Sequence, residues 1–322
     1  MNEYMKETNE ALLHTYNQFP VVLDHGEGVY LYDTEGKKYL DFAAGYAVSS
    51  LGYGNQELNE ALKAQIDKLF HTSNLYYNTV CGKAAEDLKR ITGMDRIFFT
   101  NSGGEAVEGT LKAARKYAYK KGTGRYEFIA MKESFHGRSF GALSVTGHDP
   151  YRAPFEPLVP GVSFAEYNDL DSVRALMEQA DGQTAAVIVE AVGANMGVVP
   201  PKKGFLEGLR KLCDEYGALL IFGEVITGFR LAFGGAAEYF GVTPDLVTYG
   251  KIIGAGMPVG AYGGRREIME LVSPVGKVYQ AGTLSGNPIA MAAGLTQLKY
   301  LYEHQGIYKD LEEKGKRLYG GM

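Results

Sequence analysis

Short apolar segments alternate with longer segments of helical periodicity along most of this chain, and this alternation strongly limits the possible folds. Short apolar runs predict β-strands over residues 97–100, 128–131, 185–190, 219–222 and 246–249. Apolar residues at helical spacing predict helices over residues 56–70, 105–119, 170–180, 204–216 and 289–302. Repeated strand-helix alternation predicts an α/β fold with a mainly parallel sheet and helices on both faces.

The two ends of the chain differ from this pattern. Residues 28–42 alternate about an Asp-Thr-Glu-Gly turn at 33–36, which predicts a β-hairpin. A charged helical segment begins near Gly306, shortly before the last residue. We therefore expect an N-terminal segment over residues 1–50, a large domain over 51–302, and the start of an incomplete C-terminal domain over 303–322.

Composition limits the class of partner. The 33 Lys and Arg residues against 38 Asp and Glu residues give a net charge of −5, which offers no basic surface for nucleic acid or an anionic membrane. Residues 1–10 contain no apolar signal segment, and no run of eighteen apolar residues occurs. Cys81 and Cys213 lie far apart and fit neither a zinc motif nor a disulfide framework. We expect a cytoplasmic protein that acts on a small molecule.

Residues that follow strands are the first candidates for chemistry, because parallel α/β sheets bind ligands beyond the carboxyl ends of their strands. The first such segment is Asn101-Ser-Gly-Gly-Glu-Ala106, which leads directly into a helix. Its glycines and free N–H groups could bind a phosphate at the positive end of the helix dipole. A plain helix cap, in which Ser102 and Glu105 form a capping box, explains the same residues.

A second candidate segment follows the strand at 128–131. It contains Phe135, His136 and Arg138, which could supply an aromatic ring for stacking and a guanidinium for a carboxylate. A solvated loop is the alternative interpretation.

A third candidate segment follows the strand at 246–249 and begins with Gly250-Lys251. Its glycine spacing fits neither a phosphate loop nor a dinucleotide-binding motif. A lysine in an apolar pocket with glycine walls has its ammonium form disfavoured, as a Schiff-base lysine requires. An ordinary surface lysine is the alternative.

Taken together and in order, five segments resemble the motifs of the class III aminotransferases. They are Asn101-Ser-Gly-Gly-Glu-Ala106, Ser134-Phe-His-Gly-Arg138, Ile221-Phe-Gly-Glu-Val-Ile-Thr-Gly-Phe-Arg230, Thr248-Tyr-Gly-Lys251 and Ala281-Gly-Thr-Leu-Ser-Gly-Asn-Pro288. The resemblance covers nearly the whole chain. It implies the fold-type I architecture, pyridoxal 5'-phosphate as the cofactor, and a homodimer.

The resemblance also implies roles for individual residues. Lys251 forms the Schiff base with the cofactor and later moves the proton. The other implied cofactor-binding residues are Ser102, Gly103, Gly104, Phe135, His136, Glu224, Val225 and, from a neighbouring subunit, Thr283. The implied substrate-binding residues are Tyr46, Arg138 and Asn195.

The two halves of the chain resemble different members of the family. Residues 16–20, 70–77 and 135–138 are most similar to acetylornithine and ornithine aminotransferases. Later segments, at 197–201, 234–245, 260–269 and 282–286, are similar to glutamate-1-semialdehyde 2,1-aminomutase. Asn195 matches the aminomutase, whereas ornithine aminotransferases have a glutamate there. Both relatives imply a five-carbon amino acid or aldehyde as the substrate.

Several positions depart from the family pattern, among them Gly104 and Gly223 at the cofactor. The family's Asp-Glu pair is Gly223-Glu224 here, which removes the carboxylate expected to pair with the pyridine nitrogen. We therefore consider three functions: an aminotransferase acting on an ornithine- or semialdehyde-like substrate, a glutamate-1-semialdehyde 2,1-aminomutase, and an inert mosaic or truncated scaffold of the same fold.

Overall fold

The computed structural model describes residues 2–321, and its centre is a sheet of seven strands. The strands of the chain are β1 (Leu23–Glu27), β2 (Tyr30–Asp33), β3 (Lys38–Leu40), β4 (Arg96–Thr100), β5 (Glu127–Met131), β6 (Val162–Ala165), β7 (Thr184–Val189), β8 (Leu219–Gly223), β9 (Leu246–Tyr249) and β10 (Gly260–Gly264). The large sheet has the order β4-β10-β9-β8-β7-β5-β6. Its strands from β9 to β6 pair in parallel, and β10 pairs antiparallel with both neighbours. The predicted α/β class is confirmed.

The described part of the chain forms thirteen helices, of which α5 and α9 pack on opposite faces of the sheet. They are α1 (Glu3–Ala11), α2 (Ala44–Ala47), α3 (Gln56–Lys68), α4 (Cys81–Thr92), α5 (Gly103–Lys120), α6 (Phe140–Ser144), α7 (Asp149–Arg152), α8 (Leu170–Gln179), α9 (Phe205–Tyr216), α10 (Gly235–Phe240), α11 (Arg266–Met269), α12 (Pro288–Glu303) and α13 (Gly306–Gly320). Short 3-10 helices occur at Ala153–Phe155 and Lys251–Gly254. Within residues 2–321, no helix combines the length and the apolar character needed to cross a membrane.

The large sheet is buried on both faces. In β8, Leu220 and Phe222 belong to one apolar cluster, while Leu219 and Ile221 belong to a second. Successive side chains of a strand point to opposite faces, so each face of the sheet has its own core. Helix α9 contributes to the first cluster and α5 to the second. This double burial explains why the central strands are continuous apolar runs in the sequence.

The predicted strands and helices of the large domain all occur, with ends that differ by no more than two residues. Two strands were not predicted, and β10 shows why. Its sequence is Gly-Ala-Tyr-Gly-Gly, which has no apolar run. A side chain at Gly260 would lie 2.1 Å from the Ser102 carbonyl oxygen, and one at Gly264 would lie 2.2 Å from that of Asp245. Because these backbone atoms lie so close, only glycine fits at the two positions, although glycine has a low β propensity.

The predicted hairpin is formed by β2 and β3. The Asp33 carboxylate closes its turn by accepting the backbone N–H groups of Glu35 and Lys37 at 3.0 and 2.8 Å. Strand β1 adds a third antiparallel strand that the sequence did not indicate. The division of the chain into three segments stays a prediction.

Candidate active site

A cavity of about 620 Å³ lies at the carboxyl ends of the parallel strands. Gly223 ends β8, Glu190 follows β7, and Lys251 comes two residues after β9. The structure brings most of the predicted site residues to its wall, namely Tyr46, Gly103, Gly104, Phe135, His136, Arg138, Asn195, Val225 and Lys251. The topology of the sheet therefore assembles the cavity from segments that are distant in the sequence.

Three predicted site residues do not line this cavity. Ser102 caps α5, where its hydroxyl oxygen accepts the Glu105 N–H at 3.2 Å, as the helix-cap alternative expects. Thr283 is exposed and lies outside the cavity of its own chain.

Glu224 is the third, and it lies away from the cavity. Its side chain is fully buried and caps α10, accepting the N–H groups of Ala236 and Ala237 at 2.6 and 3.2 Å. Gly223 faces the cavity instead, because neighbouring residues of an extended chain point to opposite sides.

Lys251 lies beside a turn of the N-terminal segment. Its Nζ donates to the Tyr46 carbonyl oxygen at 3.1 Å, and its backbone has a positive φ of 50°. Burial, together with the charge of Arg230, lowers the pKa of the Lys251 amine. A lysine that loses its proton more readily supplies more of the neutral amine that attacks carbonyl carbon.

The side chain of Val225, on the cavity wall, fits closely between Gly103 and Gly250. A side chain at Gly103 would lie 2.9 Å from both Val225 methyl groups, and one at Gly250 would lie 3.1 Å from one of them. Gly104 has free space beside it, since nothing but the Ser102 hydroxyl lies within 4 Å of a Cβ built there. The first N–H groups of α5 have no partner within the helix, so this end of the cavity can bind an anion.

Arg138 stands over two aromatic rings. Its guanidinium carbon lies 5.2 Å from the ring centre of Phe135 and 4.0 Å from that of Tyr151. Among residues 2–321, no carboxylate forms an ion pair with Arg138. The guanidinium is therefore available to a carboxylate from outside the chain.

Glu190 is a site residue that the sequence interpretation missed. Its carboxylate accepts the Phe135 backbone N–H at 2.9 Å and so ties the aromatic ring to the end of β7. Burial raises the pKa of Glu190 to about 7 although backbone N–H groups of Phe135 and Ala194 oppose the change. An acidic residue at the end of an apolar strand was the signal that could have identified it.

Gly223, His136 and Thr248 lie together at the buried end of the cavity, which we call the cavity floor. His136 is 5% exposed, and burial lowers its pKa to about 4, so the ring is neutral at neutral pH. Its Nε2 and the Thr248 hydroxyl are buried without a hydrogen-bond partner. A Cβ at Gly223 would lie 3.3 Å from the His136 ring. The cavity floor thus offers polar atoms and no carboxylate.

Solved structures place this fold among the pyridoxal-phosphate transaminases. The crystal structure of the ornithine aminotransferase from Toxoplasma gondii ME49 superposes with a TM-score of 0.89 at 29% identity, covering 99% of this chain and 74% of that chain. Another structure of the Toxoplasma gondii enzyme has partial occupancy of pyridoxal phosphate at its active site. Fold and cavity together define an enzyme of the fold-type I class that depends on this cofactor.

Sequence comparison gives the family. The pattern described as aminotransferase class-III matches residues 12–322. The glutamate-1-semialdehyde 2,1-aminomutase of Acetivibrio thermocellus is 47% identical over 94% of this chain and 71% of its own length. The acetylornithine aminotransferase of Archaeoglobus fulgidus is 42% identical over 98% of this chain and 81% of its own length. The chain belongs to the class III aminotransferases, and both relatives named by the sequence resemblance are confirmed.

The cavity suits the cofactor of this family. Its open glycine end provides N–H groups for a phosphate, and Phe135 provides a flat face for an aromatic ring. The unpartnered polar atoms of His136 and Thr248 are available to heteroatoms of a bound ring. Lys251 brings an amine to the same space. The residues present therefore fit pyridoxal phosphate.

Lys251 is expected to be the residue that bonds covalently to the cofactor. Borohydride reduction with pyridoxal phosphate, followed by peptide mapping, should label the peptide that contains Lys251. Lys251→Ala should remove the label, while Lys112→Ala should keep it, because the Lys112 amine donates to Gln280 outside the cavity. A label that persists on Lys251→Ala would contradict the assignment.

Glu190 is expected to make stability depend on pH. Its pKa is raised from 4.5 to about 7 on folding, so its contribution to stability is present below pH 4.5 and is lost as the pH rises through 7. The free energy of unfolding of Glu190→Gln, measured relative to that of the native protein, should therefore increase by about 3 kcal/mol as the pH rises from 4.5 to 7. Urea titrations across the range would measure it, with the exposed Glu313→Gln as control. A difference that does not vary with pH would count against the buried carboxyl.

Proposed function

We propose that the protein is a class III aminotransferase that acts on a five-carbon amino acid or semialdehyde bearing a carboxylate. The observation that carries this proposal is the joint presence of Lys251 and the unpaired Arg138 in one cavity. The names of the relatives, acetylornithine aminotransferase and glutamate-1-semialdehyde 2,1-aminomutase, support a substrate of this kind.

Different residues of the cavity hold the cofactor and bind the substrate in this proposal. Pyridoxal phosphate supplies the carbonyl group and the electron-withdrawing ring when it is bound. Lys251 provides the amine that holds the cofactor, and its lowered pKa suits it to accept and return a proton. Arg138 orients the substrate through its carboxylate, because a planar guanidinium can donate to both oxygens. Tyr46, which lines the same cavity, is proposed to assist Arg138.

The aminomutase is the second candidate, and Asn195 favours it. Asn195 lines the cavity, and the amide brings no negative charge to the space that Arg138 serves. An aminomutase isomerises one substrate and needs no separate amino donor, whereas an aminotransferase needs a donor and an acceptor.

An assay with two arms separates these functions. Acetylornithine with a 2-oxo acid should exchange its amino group if the protein is an aminotransferase. Glutamate-1-semialdehyde alone should be converted to its isomer if the protein is an aminomutase. A protein that binds the cofactor covalently but turns over neither substrate would support the inert scaffold instead.

We include a homodimer in the proposal. Several large apolar side chains are exposed on one chain, among them Tyr16, Phe19, Phe42, Leu75 and Tyr77. Exposed apolar groups of this size are typical of protein interfaces. A second copy would cover such groups and could bring Thr283, which is exposed here, to the partner's phosphate site.

The proposal includes a cytoplasmic location. Cys81 and Cys213 are both free thiols. Burial raises the pKa of each thiol, which disfavours the reactive thiolate. Unpaired thiols suit a reducing compartment.

Arg138→Lys should weaken substrate binding without weakening cofactor attachment. A lysine keeps the charge but loses the planar fork, so we expect KM for a carboxylate substrate to rise about tenfold or more. Steady-state kinetics would measure KM, and borohydride trapping would show that attachment to Lys251 is unchanged. Arg152→Lys, a change outside the cavity, should leave KM at the native value. An unchanged KM in Arg138→Lys would contradict the assigned role.

Gly223→Asp should raise turnover. The resemblance implies an aspartate at this position opposite the pyridine nitrogen, where a carboxylate would stabilise the protonated ring. Its Cβ would lie 3.3 Å from the His136 ring, so a shift of a few tenths of an ångström accommodates it. We expect kcat to rise more than tenfold, equivalent to about 1.4 kcal/mol of barrier. Gly223→Asn should give no such gain. Equal kcat values for Gly223→Asp and the native protein would refute this explanation.

A further inference from the structure

The segment that lies over Lys251 is α2 (Ala44–Ala47), which is a single left-handed turn. Four successive residues, Ala44 to Ala47, have φ values of 47°, 62°, 59° and 63°. Gly45 adopts such values freely, but the three other residues carry a Cβ that disfavours them. A turn of this kind persists only where the surrounding structure holds it in place.

Two basic side chains hold this turn by donating to successive carbonyl groups. Lys251 Nζ donates to the Tyr46 oxygen at 3.1 Å, and Arg230 Nη2 donates to the Ala47 oxygen at 2.5 Å. Arg230 is itself oriented by its Nε, which donates to the Ile226 carbonyl oxygen at 3.0 Å. Ile226 and Ala47 both line the cavity, so Arg230 links two of its walls.

Arg230 carries a charge that no carboxylate neutralises. Over the part of the chain that the structure describes, its hydrogen-bond acceptors are backbone carbonyls, and no ion pair includes it. Its positive charge therefore acts directly on the neighbouring Lys251.

We propose that Arg230 is a positioning residue for Lys251: its guanidinium holds the left-handed turn above the amine and places an unneutralised positive charge beside it. This inference rests on the proposed role of Lys251 in holding the cofactor. Arg230 thereby disfavours the ammonium form of Lys251, in the direction that the lowered pKa of this lysine shows.

Other ionisable groups also line the cavity that contains Lys251. The cavity contains Tyr46 on the turn, His136 and Arg138 on the segment after β5, and Glu190 after β7. Beyond burial, the charge that lowers the pKa of Lys251 is that of Arg230. On the far side, Tyr308 of α13 lies near Arg230, and its hydroxyl donates to the Phe229 carbonyl oxygen at 3.0 Å.

The test measures the reactivity of the Lys251 amine against pH by competitive labelling with a trace acylating reagent and peptide mass spectrometry. The whole chain is used after any bound cofactor has been removed with hydroxylamine. Arg230→Gln should raise the labelling midpoint of Lys251 by about one pH unit, which lowers the neutral fraction about tenfold at a fixed lower pH. Arg230→Lys keeps a charge there and should stay near the native midpoint. Arg174→Gln, a surface change, is the control.

Amide hydrogen exchange over residues 44–48 tests whether Arg230 holds the left-handed turn in place. Arg230→Gln should accelerate exchange in the turn, because the turn loses the Arg230 contact, one of its two side-chain contacts. Adding Ala47→Gly should slow exchange again, since glycine adopts the left-handed conformation without a steric cost. That double variant should nevertheless keep the raised labelling midpoint, which separates the effect of charge from the effect of the turn.

A native labelling midpoint in a folded Arg230→Gln protein overturns the proposal, and so does unchanged exchange in the turn. If Arg230→Gln does not fold, Arg230→Met replaces it as the variant without the charge. Its labelling midpoint and the exchange of its turn are then compared with those of Arg230→Lys. Because labelling needs no cofactor, a shifted midpoint without cofactor trapping would reject the proposed function of Lys251 but not the effect of Arg230 on its amine.

Discussion

Parallel pairing of β5, β7, β8 and β9 is the constraint on which the rest of the structure depends. These strands run in one direction, so their carboxyl ends meet along one edge of the sheet. The segments that follow them deliver Phe135, Glu190, Gly223 and Lys251 to one cavity. Burial of the sheet on both faces makes this arrangement rigid, because every central strand packs against two cores.

The cavity raises the pKa of an acid and lowers the pKa of an amine. Burial raises the pKa of Glu190 to about 7, while burial and a neighbouring cation lower the pKa of Lys251. The same burial keeps His136 neutral. Glu190 can therefore gain or lose a proton near neutral pH, and Lys251 gives up its proton more readily than an exposed lysine. This property suits proton transfer in the amino-group chemistry of the family.

Gly223 and Glu224 show how a two-residue motif can serve two parts of the structure. Gly223 belongs to the cavity floor, whereas Glu224 points away from it and caps α10 with a fully buried carboxyl group. Glycine at position 223 therefore alters the cavity floor and leaves the helix cap intact. The chemistry and the stability of this region can change independently, because adjacent residues face opposite sides of the chain.

The sequence by itself determined the α/β class and the main strands and helices, and it singled out segments that line the cavity. The fold was predictable because buried parallel strands are continuous apolar runs, and the segments were recognisable because the residues after each strand are local in sequence. Strand β10 escaped prediction because its glycines are required by the close approach of the Ser102 and Asp245 carbonyl groups, which no local pattern encodes. Only the tertiary structure decided that Glu224 turns away from the cavity, that Glu190 belongs to it, and that Arg230 reaches the turn above Lys251. These relations depend on which elements meet in space, and burial and charge act on a side chain only once those neighbours are in place.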